Sequence, residues 1–180
     1  IGSFRDMDEN LIVIDSVSKR FSACGARIGV LITRNRELQQ NALKICQARL
    51  SVSTLDQVAS ASLYQVDPHY FDSVRAEYKR RRDTIYQKLQ EIPGVVCKKP
   101  SGAFYVMAKL PVEDADAFQT WLLTEFQDNN ETIMYAPGSG FFLDPAQGKN
   151  QVRFAYVLNC KDLERAMDLL KMGIAQYNAR

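Results

Sequence analysis

Ser16, Ser18, Lys19 and Arg27 are the residues whose types and spacing could do chemistry. Lys19 closes the stretch that starts with the apolar run Leu11-Ile12-Val13-Ile14. Arg27 stands between Gly25 and Gly29, just before a second apolar run ending at Ile32. A lysine withdrawn from water has its ammonium form disfavoured, which makes its amine a better nucleophile toward an aldehyde. That is what a Schiff-base lysine requires. A guanidinium beside hydroxyls offers forked donors and positive charge, a receptor suited to a dianion such as phosphate without help from a metal. Taken singly, a lysine after a strand reads as a solvated strand end, and an arginine between glycines reads as a turn residue. Taken jointly, two adjacent strands could present Ser16, Lys19 and Arg27 to one pocket.

The pattern Ser16-x-Ser18-Lys19-x(5)-Gly25-x-Arg27-x-Gly29 resembles the cofactor-lysine motif of the class I, fold type I pyridoxal-5'-phosphate aminotransferases, the aspartate aminotransferase family. The resemblance implies that Lys19 forms the Schiff base with pyridoxal 5'-phosphate and then carries the proton between the substrate Cα and the cofactor. Ser16, Ser18 and Arg27 would bind the cofactor, with Ser16 and Arg27 at its phosphate. A base that is also an acid suits an amine whose pKa is drawn down by roughly 3 units through burial and cationic neighbours.

The resemblance runs the length of the chain in order. Pro100-Ser101-Gly102-Ala103-Phe104-Tyr105 is similar to the family's loop into a small-domain strand, and Pro137-Gly138-Ser139-Gly140-Phe141 fits its Pro-Gly-x-x-Phe element. Arg153 lies within the apolar run Val152 to Val157, where a buried and unpaired guanidinium would be costly. By the resemblance it binds the α-carboxylate of the substrate as a bidentate pair. The implied fold is α/β: the end of the mixed sheet of the large cofactor domain (residues 1–75), a long connecting helix, and an α+β small C-terminal domain (residues 76–180). The implied reaction is transamination between an amino acid, aspartate-like by general likeness, and a 2-oxo acid, in a cytoplasmic homodimer. Other pyridoxal phosphate chemistry on this scaffold, C-S lysis or decarboxylation, and a regulator's aminotransferase-like effector domain remain alternatives.

Composition agrees with a cored enzyme domain. Of 180 residues 46% are hydrophobic, and the net charge of +2 gives no reason to expect nucleic acid or an anionic membrane as partner. The four cysteines are scattered without the paired spacing of a zinc or dithiol site, which suits a reducing compartment. No apolar run approaches the length of a bilayer span. The chain opens on Ile1-Gly2-Ser3-Phe4, close to a strand that reads as buried on both faces of a parallel sheet. A sheet of one or two strands cannot stand alone, so the sequence reads as the C-terminal portion of a longer enzyme. In the family, the carboxylate and the aromatic ring that meet the pyridine would lie upstream.

Further elements follow from caps and periodicity. Asn35 reads as the cap of a helix carrying Leu38, Ala42 and Ile45, and a second helix starts at Thr54 or Asp56. Asp67-Pro68 opens a helix of about 25 residues to Ile92, closed by Pro93-Gly94. The run Lys79-Arg80-Arg81-Arg82 circles that helix instead of lining one stripe, so it reads as a solvated face paired with Glu77 and Asp83. His69 reads as structural, with no acidic partner in view. Beyond it the pattern predicts a hairpin around Lys99 to Gly102, a helix from Asp114 to Phe126, strands Thr132 to Ala136 and Val152 to Val157, and a closing helix from Asp162 to Tyr177.

Overall fold

The β-branched run after Leu11 folds as an extended strand, β1 (Ile12–Ser16), followed at once by a single helical turn, α1 (Val17–Arg20). The structure, a computed structural model, describes residues 5–180 and divides into two units, Ile1–Pro68 and His69–Arg180. In the first unit the chain returns through a 3-10 turn, Cys24–Ala26, into β2 (Gly29–Thr33). β2 pairs with β1 antiparallel in the register Ile12↔Thr33 to Ser16↔Gly29.

The parallel, doubly buried strand expected from the apolar run is therefore corrected on both counts. The connection from Val17 to Ile28 is taken up by the α1 turn and the 3-10 turn Cys24–Ala26, which pack on each other at the end of the ribbon, so the chain re-enters beside Ser16 and runs back antiparallel. Exposure follows from the partnering: Ile12 is 48% and Ile14 79% exposed, and among the described residues the ribbon has two strands and no others.

Two helices complete this unit. Asn35 caps α2 (Arg36–Arg49) by accepting from the Leu38 amide, as the sequence predicts, and Thr33 ties the strand end to Leu11 O through its hydroxyl. Ser53 caps α3 (Thr54–Ser62) in the same way through the Asp56 amide.

The second unit holds the larger core. The helix predicted from Asp67 to Ile92 is α4 (His69–Gln90), and the chain leaves it through Gly94 in the left-handed region. His69 does meet an acid, Asp72 at 3.8 Å, because the two stand one helical turn apart. Strands β3 (Val96–Cys97), β4 (Tyr105–Lys109), β5 (Ala136–Pro137) and β6 (Gln151–Ala155) form an antiparallel sheet in the order β3-β4-β6-β5. Helix α5 (Ala115–Thr124) lies between β4 and β5 in sequence, and α6 (Cys160–Asn178) closes the chain.

The side-chain period of two decides the faces of this sheet. Val106, Ala108, Val152 and Phe154 turn inward onto Leu89, Phe118, Leu122, Leu170 and Ile174, all buried. Tyr105, Met107 and Arg153 occupy the alternate positions. The strand expected from Thr132 to Ala136 shrinks to Ala136–Pro137. Its alternation is real, since Ile133 and Tyr135 are buried around an exposed Met134, but the Tyr135 amide donates to Gln119 Oε1 (2.8 Å) instead of to a strand. The Tyr135 hydroxyl donates to Ala115 O, and burial holds this phenol above its ordinary range.

The basic run on α4 finds the carboxylates assigned to it. Glu77 receives Arg81 (2.7 Å) and Arg80 (2.8 Å), and Asp83 receives Lys99 and Arg82, each at 2.8 Å. Only part of the run is solvated: Arg81 and Arg82 also donate to the carbonyls of Val157 and Pro100. Arg81 and then Arg80 hold the Glu77 carboxyl below its usual range, and Lys99 and then Arg82 do the same for Asp83. A carboxyl depressed in the folded state contributes stability above its unfolded pKa and loses it as pH falls through the folded value. Acid titration of unfolding should therefore show stability falling below about pH 4, with the slope reduced in Glu77→Gln and Asp83→Asn. In chemical denaturation at neutral pH, Leu170→Ala should cost about 2–5 kcal/mol, and Leu143→Ala, on a fully exposed side chain, about none.

Candidate active site

The antiparallel register places the end of β1 beside the start of β2. Lys19, three residues beyond Ser16, and Arg27, two residues before Gly29, therefore leave the ribbon at the same end. The α1 turn packs against the 3-10 turn Cys24–Ala26 that precedes Arg27. Gly29 serves this approach directly, because a Cβ there would lie 3.2 Å from Asp15 O.

Ser16 is the joint between the two strands. Its Oγ accepts from the Ser18 amide (3.1 Å), capping α1, and lies 2.9 Å from Ile28 O and 2.8 Å from Ser18 Oγ. A hydroxyl has one proton. Ile28 O can only accept, so the Ser16 proton goes there and Ser18 Oγ donates to Ser16. The Val17 amide reaches the same carbonyl at 3.3 Å. Asp15 completes the turn by accepting from the Ser16 amide (2.8 Å) and pairing with Arg20 at 2.5 Å. Sequence reasoning passed over this Asp15 and Arg20 pair, although a carboxylate five residues before an arginine across a helical turn was visible.

Arg27 adopts φ 54, a left-handed conformation that costs a non-glycine residue about 1–2 kcal/mol. Its Nη1 donates back to Cys24 O at 2.8 Å, closing a small loop, and no carboxylate among the described residues meets it. Lys19 is exposed, which corrects the desolvation expected of it. One helical turn at the end of a two-stranded ribbon offers nothing to bury a side chain of that length. A cavity of about 230 Å³ opens beside this region, lined by Ser16, Phe21, Ile28, Ser60 and Tyr64 among others. Ser18, Lys19 and Arg27 are not in its lining, so it brings together only one of the four expected residues. Its walls are mainly apolar, and its Arg20 and Asp15 are already paired.

The donor set at the ribbon end fits a phosphate dianion in charge. Arg27 retains guanidinium N–H groups beyond the one given to Cys24. Ser16 could donate only by turning its proton from Ile28 O, a change that leaves that carbonyl its bond from Val17.

In the second unit, Arg153 sits mid-strand on β6, opposite Met107 of β4 and Ala136 of β5. It points away from the core by the alternation of the strand. Its guanidinium carbon lies 4.4 Å from the Tyr105 ring centroid and 4.6 Å from that of Phe141. Phe141 ends a 3-10 turn (Ser139–Phe141) that lies close on β6 because Gly138 carries no side chain; a Cβ there would be 2.6 Å from Gln151 O. Neither ring was assigned to Arg153 from sequence. Alternation along β4 could have found Tyr105, but the fold of the loop brings Phe141.

Comparison with known proteins places this geometry in context. The profile described as Aminotransferase class I and II matches residues 3–170. An aspartate aminotransferase of Bacillus subtilis is 27% identical over 179 residues, which are 96% of this chain and 43% of that protein. Among solved structures, the alanine aminotransferase of Pyrococcus furiosus is 28% identical with a TM-score of 0.76, covering 92% of this chain and 42% of its own. The α-aminoadipate aminotransferase of Thermus thermophilus, solved with N-(5'-phosphopyridoxyl)-L-leucine, shares the fold with a TM-score of 0.79 at 23% identity, over 93% of this chain and 42% of that one. The chain thus spans a little over two fifths of the length of the relatives it matches.

Removing the Ser16 joint should be measurable on its own. Ser16→Ala is expected to cost about 1 kcal/mol through the lost cap and to speed hydrogen exchange at the Ser18 amide, while Ser16→Thr keeps both near the wild-type values. Unchanged exchange in the alanine variant would show that the cap is not formed in solution.

Proposed function

The chain belongs to the class I and II aminotransferase family, and from that premise we propose that it is part of an enzyme that exchanges an amino group between an amino acid and a 2-oxo acid on pyridoxal 5'-phosphate. The observation that carries this reading is the register of β1 and β2, which sends Lys19 and Arg27 out at one end of the ribbon. In this reading Arg27 takes the cofactor phosphate with its remaining N–H groups, helped by Ser18 and by Ser16 once its proton turns from Ile28 O. Lys19 Nζ would hold the cofactor at its aldehyde carbon and would accept and return the proton at the substrate Cα. When bound, pyridoxal phosphate supplies the aldehyde carbon that receives the amino group and a ring that withdraws electrons from the substrate Cα.

Arg153 binds the substrate α-carboxylate. An arginine with no acidic partner among the described residues, kept on the open face of a sheet, has its forked donors available for such a group. We take the amino donor to be aspartate-like, a choice supported by the names of relatives such as the Bacillus and Pyrococcus aspartate aminotransferases. The intact enzyme is taken to be a homodimer. Exposed apolar residues on α2 and α3, Leu43, Ile45, Leu55 and Val58, are the kind of surface that a second copy covers.

Two measurements check these roles. Borohydride reduction of the chain mixed with pyridoxal phosphate should leave the cofactor's mass on the peptide containing Lys19 and on none in Lys19→Ala; labelling spread over other lysines would refute the lysine's role. In the intact enzyme Arg153→Ala should lower kcat/KM by an amount on the order of 2–5 kcal/mol in transition-state binding. An unaltered kcat/KM would remove Arg153 from the carboxylate site.

A further inference from the structure

Arg153 is held in an unusual way for a charged residue on an open sheet face. Its contacts are with two rings, at 4.4 and 4.6 Å from the centroids of Tyr105 and Phe141, and no acid among the described residues reaches it. Tyr105 makes a ring contact with Phe104, but no ring contact joins it to Phe141. The two rings therefore approach the guanidinium from different directions. The Tyr105 hydroxyl has no hydrogen bond among the described residues, so the ring, not the phenol, is what this position contributes. Phe141 stays 48% exposed while the Gly138 turn holds it down on β6, so its packing falls on the arginine rather than on the core.

A guanidinium is planar, and its N–H groups lie in that plane. Rings packed on it from two sides restrict the rotations that would turn its N–H groups aside. We propose that Tyr105 and Phe141 are positioning residues that hold Arg153 with its N–H edge presented to the carboxylate of the amino acid or 2-oxo acid. This rests on the carboxylate role proposed above for Arg153. Each ring acts through Arg153, by reducing the order that a carboxylate must impose on binding. Neither ring needs to touch the reacting atoms.

The test uses the full chain labelled with nitrogen-15 and pyruvate as the carboxylate probe. The Arg153 Nε–Hε signal should report a restrained side chain in the heteronuclear NOE and should shift saturably with pyruvate. Tyr105→Leu and Phe141→Leu should each loosen that signal and weaken pyruvate binding by about two- to fivefold, the equivalent of one cation–π contact. Tyr105→Phe and Phe141→Tyr keep the rings and should match the wild type. Unchanged amide signals of Leu89 and Leu170 establish that each variant is folded, and Met at either position provides a second truncation if Leu disturbs the sheet. Leucine variants that match the wild type in both mobility and affinity overturn the positioning role while leaving the carboxylate reading intact. A wild type that pyruvate does not shift, or an Arg153→Lys variant that broadens the pyruvate methyl line as strongly as the wild type, overturns the carboxylate reading instead.

Discussion

The bond from the Ser16 hydroxyl to Ile28 O is the tie on which the ribbon end depends. It closes the gap between two strands at the point where the ladder stops, and the same oxygen caps the one-turn helix that carries Lys19. The Ser16↔Gly29 register and the absence of a side chain on Gly29 let this happen at short range. One oxygen thus sets where the lysine leaves one strand and where Arg27 enters the other. A shift of one residue in register would turn alternate side chains to the opposite face.

The second unit solves a different problem, that of keeping a charge in an apolar strand. The inward residues of β4 and β6 contribute to a core of aliphatic and aromatic side chains, and Gly173 lets α6 come close to Leu122, where a Cβ would stand 2.8 Å from Cδ2. Arg153 escapes that core because it sits at an odd step between Val152 and Phe154, both buried. Ring faces take the place of an acidic partner, and no carboxylate among the described residues neutralises its charge. On α4 the opposite arrangement holds, with Arg80, Arg81 and Arg82 each bound to a carboxylate within a turn. The two arrangements separate arginines paired within the fold from one that packs on rings instead.

Much of the fold could be read from local chemistry. Asn35 and Asp114 cap their helices through the amide three residues on, as their side chains dictate, and the long helix, the hairpin and the closing helix stand near their expected limits. The failures share a cause. The strand from Thr132 is lost to the side chain of Gln119, sixteen residues from Tyr135, and the direction of β2 is decided by the α1 and 3-10 turns packing together at the ribbon end. Neither is encoded in the pattern of the strand itself.

The sequence by itself determined the residue types and spacings at the ribbon end, the helices and their caps, and the alternation that puts Arg153 outside the core, because each depends on neighbours within a few positions. Tertiary structure alone decided that β1 and β2 run antiparallel with their apolar residues partly exposed, that Lys19 is open to solvent, and that Tyr105 and Phe141 come from separate segments to meet one guanidinium. Such outcomes depend on which segments pack beside one another once the chain is folded, which periodicity and composition do not contain.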